Sequence, residues 1–196
     1  MPVDLGRRNW LKNLLPQAVD TVATAVSQTL PKHLRPPGAV DEASFLALCT
    51  ACNDCVLACP PRAIFTLNEG LGAKTPVMAP DERACLMCDG WPCATACTTG
   101  ALRVPATPTV RFGTVSISRD HCFTFRGPEC GACGGLCPGN LRAITFSRAR
   151  PSVDEEACVG CGRCIDACPT SPKAIVFLER TLADQIADEG GARNGR

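Results

Sequence analysis

Sixteen cysteines, arranged as four groups of four, constrain this 196-residue chain more than any other feature. The first group is Cys49, Cys52, Cys55 and Cys59, followed by Pro60. The second is Cys85, Cys88, Cys93 and Cys97, followed by Thr98. The third is Cys122, Cys130, Cys133 and Cys137, followed by Pro138, and the fourth is Cys158, Cys161, Cys164 and Cys168, followed by Pro169. The groups read as one unit repeated four times. No Cys is left over.

The first and fourth groups have the spacing C-x2-C-x2-C-x3-C-P, the ligand run of bacterial ferredoxins that hold [4Fe–4S] clusters. Three thiolates two residues apart on a tight loop converge on three corners of a cube. The fourth Cys points away and ligates the other cluster of a pair. The second group carries two extra residues between Cys88 and Cys93, and the third carries five between Cys122 and Cys130. A loop grows at a corner at little entropic cost, so both keep the same ligand sense. The spacing therefore predicts four [4Fe–4S] clusters held by all sixteen Cys as iron ligands. A disulfide scaffold fits less well, because the chain shows no ordinary secretory signal and the spacing repeats too regularly. Zinc ribbons usually pair two separated C-x2-C knuckles, whereas here triplets crowd together with a fourth Cys three residues on. Which groups share clusters stays open: neighbours pair, one with two and three with four, or the pairs are nested, one with four and two with three.

Composition agrees that the cysteines hold something. The 45% hydrophobic share falls to roughly 37% without Cys, and the chain has two Trp, seven Phe and no Tyr. So small an apolar supply needs metals or disulfides at its centre. The net charge of +1 makes no case for nucleic acid. With about two negative charges on each cluster and its thiolates, the loaded protein would carry about −7. Arg62, Arg83, Arg142 and Arg163 lie near ligands and are candidates for charge compensation. Glycines such as Gly131, Gly134, Gly160 and Gly162 let backbone N–H groups approach cluster sulfurs. His121 is read as a solvent-side residue in preference to an alternative ligand, and Phe123 and Phe125 as core filling in preference to shielding a cluster from water. No nucleophile elbow, H-E-x-x-H, P-loop or dinucleotide fingerprint occurs, so no catalytic residues are assigned.

The flanks of the groups repeat as well. Short β-like runs follow each group at residues 63–65, 101–104, 143–146 and 174–177. Extended stretches precede the last three at residues 77–82, 115–120 and 153–156. The predicted fold is α+β, with tandem bacterial ferredoxin-like β-α-β units around iron–sulfur clusters and an N-terminal helix. Residues 1–40 form the helix and linker, 41–178 the four-cluster domain, and 179–196 a polar tail. The helix is predicted from Leu11, Leu15, Val19, Val22, Val26 and Leu30, and it is a possible docking element for a partner. No run of 18 apolar residues occurs, so no membrane span is expected. Arg7-Arg8-Asn9-Trp10-Leu11-Lys12 is close to a twin-arginine signal. Pro16, Gln17 and Asp20 interrupt the apolar stretch behind it, so a cytoplasmic protein is expected, with twin-arginine export as the alternative.

The four groups, with seven residues between Cys122 and Cys130, resemble the NapF ferredoxins of periplasmic nitrate reductase systems. So do the lead-in Arg35-Pro36-Pro37-Gly38, the run Asp41-Glu42-Ala43-Ser44-Phe45-Leu46 and the early Arg7-Arg8. The second group, from Cys85-Leu86-Met87-Cys88 to Trp91-Pro92-Cys93, looks more like the related NapG and MauM ferredoxins. The chain is thus similar to a NapF/NapG/MauM-type polyferredoxin over roughly residues 5–178. The resemblance implies electron transfer to or from an oxidoreductase catalytic subunit, with a molybdenum or tungsten enzyme as the partner. A NapF-like role in maturation or redox activation of a molybdoenzyme subunit is the alternative it implies.

Overall fold

The computed structural model describes residues 33–68, 73–107 and 109–179. The predicted N-terminal helix and the tail beyond Glu179 lie outside the described residues.

Secondary structure is sparse and mixed. Helix α1 (Glu42–Leu48) begins where the Asp41 carboxylate accepts from the Ser44 N–H at 3.0 Å, and it turns Phe45 fully inward. The other helices are single turns that begin inside the Cys groups: α2 (Asp54–Leu57), α3 (Pro92–Thr95), α4 (Phe123–Arg126) and α5 (Arg163–Asp166). Six short strands are β1 (Ile64–Thr66), β2 (Pro76–Met78), β3 (Gly113–Ile117), β4 (Ile144–Ser147), β5 (Arg150–Val153) and β6 (Ile175–Glu179).

The strands form antiparallel pairs. β1 pairs with β2, β4 with β5, and β3 with β6. Among the described residues the strands that flank one Cys group do not pair with each other. Each finds its partner in the neighbouring unit, which ties units into twos. The third and fourth groups share a closed frame: β3 enters, β4 and β5 form a hairpin in the middle, and β6 returns beside β3. The first and second groups repeat that plan with a weaker outer pair. There the run at 101–104 makes only a bridge between Leu102 and Ala39, while β1 and β2 form the inner pair.

The lead-in is extended only up to Pro36; Pro37 and Gly38 make a turn closed by the Ala39 N–H on the Pro36 carbonyl at 3.2 Å, and the segment is part of the packing. The Leu34 carbonyl accepts from the Met78 N–H at 2.7 Å, and Pro36 and Pro37 are fully buried. Arg35 is buried beneath them. It binds Glu42 through Nη2 at 2.6 Å and Nε at 3.0 Å, donates to Thr75 and to the Pro76 carbonyl, and stacks over Phe45 at 4.5 Å. One guanidinium thus fastens the lead-in to α1 and β2.

Two cores follow from the two halves. One gathers Phe45, Met78, Trp91, Leu102 and Phe112 around Cys55, Cys59, Cys85, Cys93 and Cys161. The other gathers Val115, Ile144, Ile165 and Ile175 around Cys158, Cys164 and Cys168. Cysteines make up a third of the buried residues in each, so these cores are organised on sulfur rather than on large side chains.

Candidate metal centres

Four cavities each draw together four Cys. The first is lined by Cys49, Cys52, Cys55 and, from the next group, Cys97, around about 320 Å³ of space. The second has Cys85, Cys88 and Cys93 with Cys59, around about 310 Å³. The third has Cys122, Cys130 and Cys133 with Cys168, around about 310 Å³. The fourth has Cys158, Cys161 and Cys164 with Cys137, around about 360 Å³. These volumes include space open to solvent. All sixteen sequence-predicted residues line one cavity each. The grouping is by neighbours, one with two and three with four; the nested pairing is not the one adopted.

In the first, second and fourth groups a single helical turn explains the exchange. Cys55 and Cys59 stand four residues apart around α2, so they share a face about 6 Å apart along the axis. Such a step carries one thiol to one cavity and the next to its neighbour. Cys93 and Cys97 do the same around α3, and Cys164 and Cys168 around α5.

The loops before these turns use left-handed backbone. Ala51 and Asn53 flank Cys52 at φ 55° and 66°, and Gly160 and Gly162 flank Cys161 at φ 66° and 83°. Met87 and Trp91 take left-handed values in the second group. Alternating left- and right-handed residues turn successive N–H groups to one side and make a concavity suited to anions. Non-glycine residues in this region are strained by roughly 1–2 kcal/mol each.

The last Cys of the first, second and fourth groups receives hydrogen bonds. The Ala63 N–H donates to Cys59 Sγ at 3.3 Å, and the Leu102 N–H to Cys97 Sγ at 3.3 Å. Thr170 Oγ1 accepts from the Ala174 N–H at 2.7 Å, which leaves its own proton for Cys168 Sγ at 3.2 Å. Thr99 stands likewise between the Ala101 N–H and Cys97 Sγ, and Thr124 lies 3.3 Å from Cys122 Sγ. These threonines escaped the sequence reading, although a repeated Cys-x-Thr was there to find.

Thiol acidity follows from these surroundings. Burial pushes the Cys55, Cys85 and Cys164 thiols up to about 12 and Cys93 up to about 11, reinforced by neighbouring Cys. Burial also raises Cys88, Cys133 and Cys161, the last opposed by the Arg163 N–H and guanidinium. Burial works the same way at Cys97 and Cys168. There, however, hydrogen bonds led by the Thr99 and Thr170 hydroxyls outweigh it, and both thiols lie below the ordinary value.

The donor set fits an iron–sulfur cube. Among the described residues no three His, Cys, Asp or Glu side chains converge as one bare metal ion requires. Soft thiol donors, inward N–H groups and apolar walls suit a polyatomic anionic cluster.

The other sequence candidates are distributed unevenly. Arg163 is half-buried within electrostatic reach of Cys161, whereas Arg62, Arg83 and Arg142 are exposed. His121 is exposed and bonds Ser118. Phe123 does not fill a core; it lies 38% exposed on the wall of the third cavity, because the third group's insert has no packed layer above it. Phe125 is half-buried between the guanidinium groups of Arg119 and Arg150, each at 5.5 Å. Arg111 was not singled out from the sequence. It donates to the carbonyls of Cys158, Glu155 and Glu156 and so fixes the turn into the fourth group.

Cysteine cavities of this kind, in a scaffold of short antiparallel pairs, define a ferredoxin-type iron–sulfur protein. The 4Fe-4S dicluster domain family matches residues 48–101, the span of the two groups that share the first and second cavities, and the 4Fe-4S binding domain family matches residues 151–172. The ferredoxin-type protein NapG of Escherichia coli K12 is 34% identical over 202 residues, covering 91% of this chain and 87% of its own. The methylamine utilization ferredoxin-type protein MauM of Methylorubrum extorquens is 35% identical, covering 84% of this chain and 81% of its own. The ferredoxin-type protein NapF of Escherichia coli K12 is 30% identical, covering 74% of this chain and 85% of its own. The chain belongs to this NapG/MauM/NapF family of ferredoxin-type proteins. NapG and MauM match more of it than NapF does, as the second cysteine group suggests.

Proposed function

We propose that the sixteen Cys ligate four [4Fe–4S] clusters, one per cavity, and that the chain passes single electrons to or from an oxidoreductase catalytic subunit. The observation that carries this reading is the composition of the cavities: three Cys of one group and the last Cys of its neighbour, four times over. The architecture is read as two tandem dicluster units of ferredoxin-like strand–helix–strand elements. The clusters, when bound, supply one-electron redox chemistry. The chain's own part is to hold them, to shield them with Trp91, Ile144 and Phe45, and to direct N–H and O–H groups at their sulfur ligands. It acts as a carrier or subunit and not as a catalyst. The partner is read as a molybdenum or tungsten enzyme, with the N-terminal segment available for docking, and the compartment as the cytoplasm.

Two measurements on anaerobically purified protein test this. Iron and sulfide analysis should return about sixteen of each per chain, and reductive titration about four electrons. A tagged chain drawn from its native host should bring down a molybdenum or tungsten oxidoreductase in stoichiometric amount. Recovery of only a cofactor-free precursor of such an enzyme would overturn electron transfer in favour of maturation.

A further inference from the structure

The two halves meet at one seam, and the seam joins particular sites. The Cys85 N–H of the second site donates to the Cys161 carbonyl of the fourth at 2.8 Å. Cys161 is buried in the core of the first half, together with Cys85. Gly162 is pressed so closely on Pro80 that a Cβ there would stand 2.2 Å from the Pro80 oxygen. Within each half, α2 carries Cys55 of the first site and leads to Cys59 of the second. In the same way α5 carries Cys164 of the fourth site and leads to Cys168 of the third.

We infer that the four sites form one line in the order first, second, fourth, third, and that electrons enter and leave at the first and third. The order is not that of the sequence: the third group, met before the fourth along the chain, is the far end. This inference rests on the four-cluster reading above. Electron tunnelling falls steeply with distance, so transfer runs between adjoining sites. Exposure points to the same ends independently. Cys52 of the first site is exposed, and Cys122, Cys130 and Cys133 of the third are half-buried. The triplet Cys158, Cys161 and Cys164 of the fourth site is buried, as are Cys59, Cys85 and Cys93 of the second; these two sites keep one half-buried Cys each, Cys137 and Cys88, and the end sites one buried Cys each, Cys168 and Cys55. The end sites are therefore the less enclosed and the nearer to a redox partner.

The test uses the full loaded chain. In crystals of the wild-type protein, anomalous scattering at the iron edge locates each cluster. The expected result is that the closest approach between halves is from the second site to the fourth, with the first and third sites farthest apart. A first- or third-site cluster at that closest approach would overturn the order. Fewer than four iron peaks would overturn the four-cluster count instead, while the surviving peaks still report the order. A spectroscopic test runs in parallel on the reduced protein. Cys52→Ala/Cys130→Ala retains the second and fourth sites and should show the split electron paramagnetic resonance signal of coupled clusters. Cys88→Ala/Cys161→Ala retains the first and third and should lose that splitting. The reverse pattern would overturn the proposal.

Discussion

At the scale of the residue, the threonines two places after a cysteine are the least conspicuous part of the site and the easiest to test. Thr170 holds Cys168 Sγ at 3.2 Å with a proton that its bond from Ala174 orients. A hydrogen bond to sulfur favours the more negative, reduced state. Thr170→Val should therefore shift one cluster's potential negative, on the order of tens of mV, since charge-assisted hydrogen bonds are worth roughly 1.5–3 kcal/mol and only part of that differs between redox states. Thr170→Ser should restore it. A potentiometric titration in which Thr170→Val leaves all potentials in place would contradict this. The buried thiols set a pH dependence. Cys55, Cys85 and Cys164 lie at about 12 against an ordinary value of 9.0, so burial favours their protonated form. Binding iron requires the thiolate, hence loading releases protons and low pH opposes it. Cluster assembly on the metal-free chain, followed by visible absorbance, should become more complete from about pH 7 to about pH 9. Loading that is indifferent to pH would count against it.

At the scale of the element, the Cys loops could be read from sequence while much of what braces them could not. The runs at 63–65, 143–146 and 174–177 overlap β1, β4 and β6, because β-branched and aromatic residues follow each cysteine turn. The hairpin between β4 and β5 was hidden. Its two turn residues, Arg148 and Ala149, take φ 49° and 63° without the Asn-Gly signal that usually marks such a turn. The run at 101–104 shrank to one bridge, since its partner is the lead-in strand at Ala39 and not a second full strand. Strand partners and cavity pairing are long-range facts that spacing within a group does not encode. The lead-in was likewise readable only as extended; its buried Arg35 depends on Glu42, Thr75 and Pro76 across the fold. The Arg35 and Glu42 side chains are 6% and 12% exposed. Removing one partner of such a buried pair costs about 3–5 kcal/mol. Arg35→Ala should lower the thermal unfolding temperature of the loaded protein sharply, and Arg35→Ala/Glu42→Ala should recover part of the loss. An Arg35→Ala protein as stable as the wild type would mean that the lead-in is not fastened as described.

At the scale of the whole molecule, the chain is a scaffold whose cores are organised on cysteine sulfur. Among the described residues no helix is long and apolar enough to cross a membrane. Two half-molecules, each with its own sulfur-centred core, are joined at Cys85 and Cys161. The central claim is that every site takes three ligands from one group and its fourth from the paired group. Counting intact four-iron clusters by anaerobic native mass spectrometry tests it directly. Cys52→Ala and Cys97→Ala should each leave three clusters, and because both residues serve the first site, Cys52→Ala/Cys97→Ala should also leave three. Cys88→Ala/Cys97→Ala, which strikes two sites, should leave two. If instead Cys52→Ala/Cys97→Ala leaves two and Cys88→Ala/Cys97→Ala leaves three, each group would serve its own cluster and the account would be contradicted.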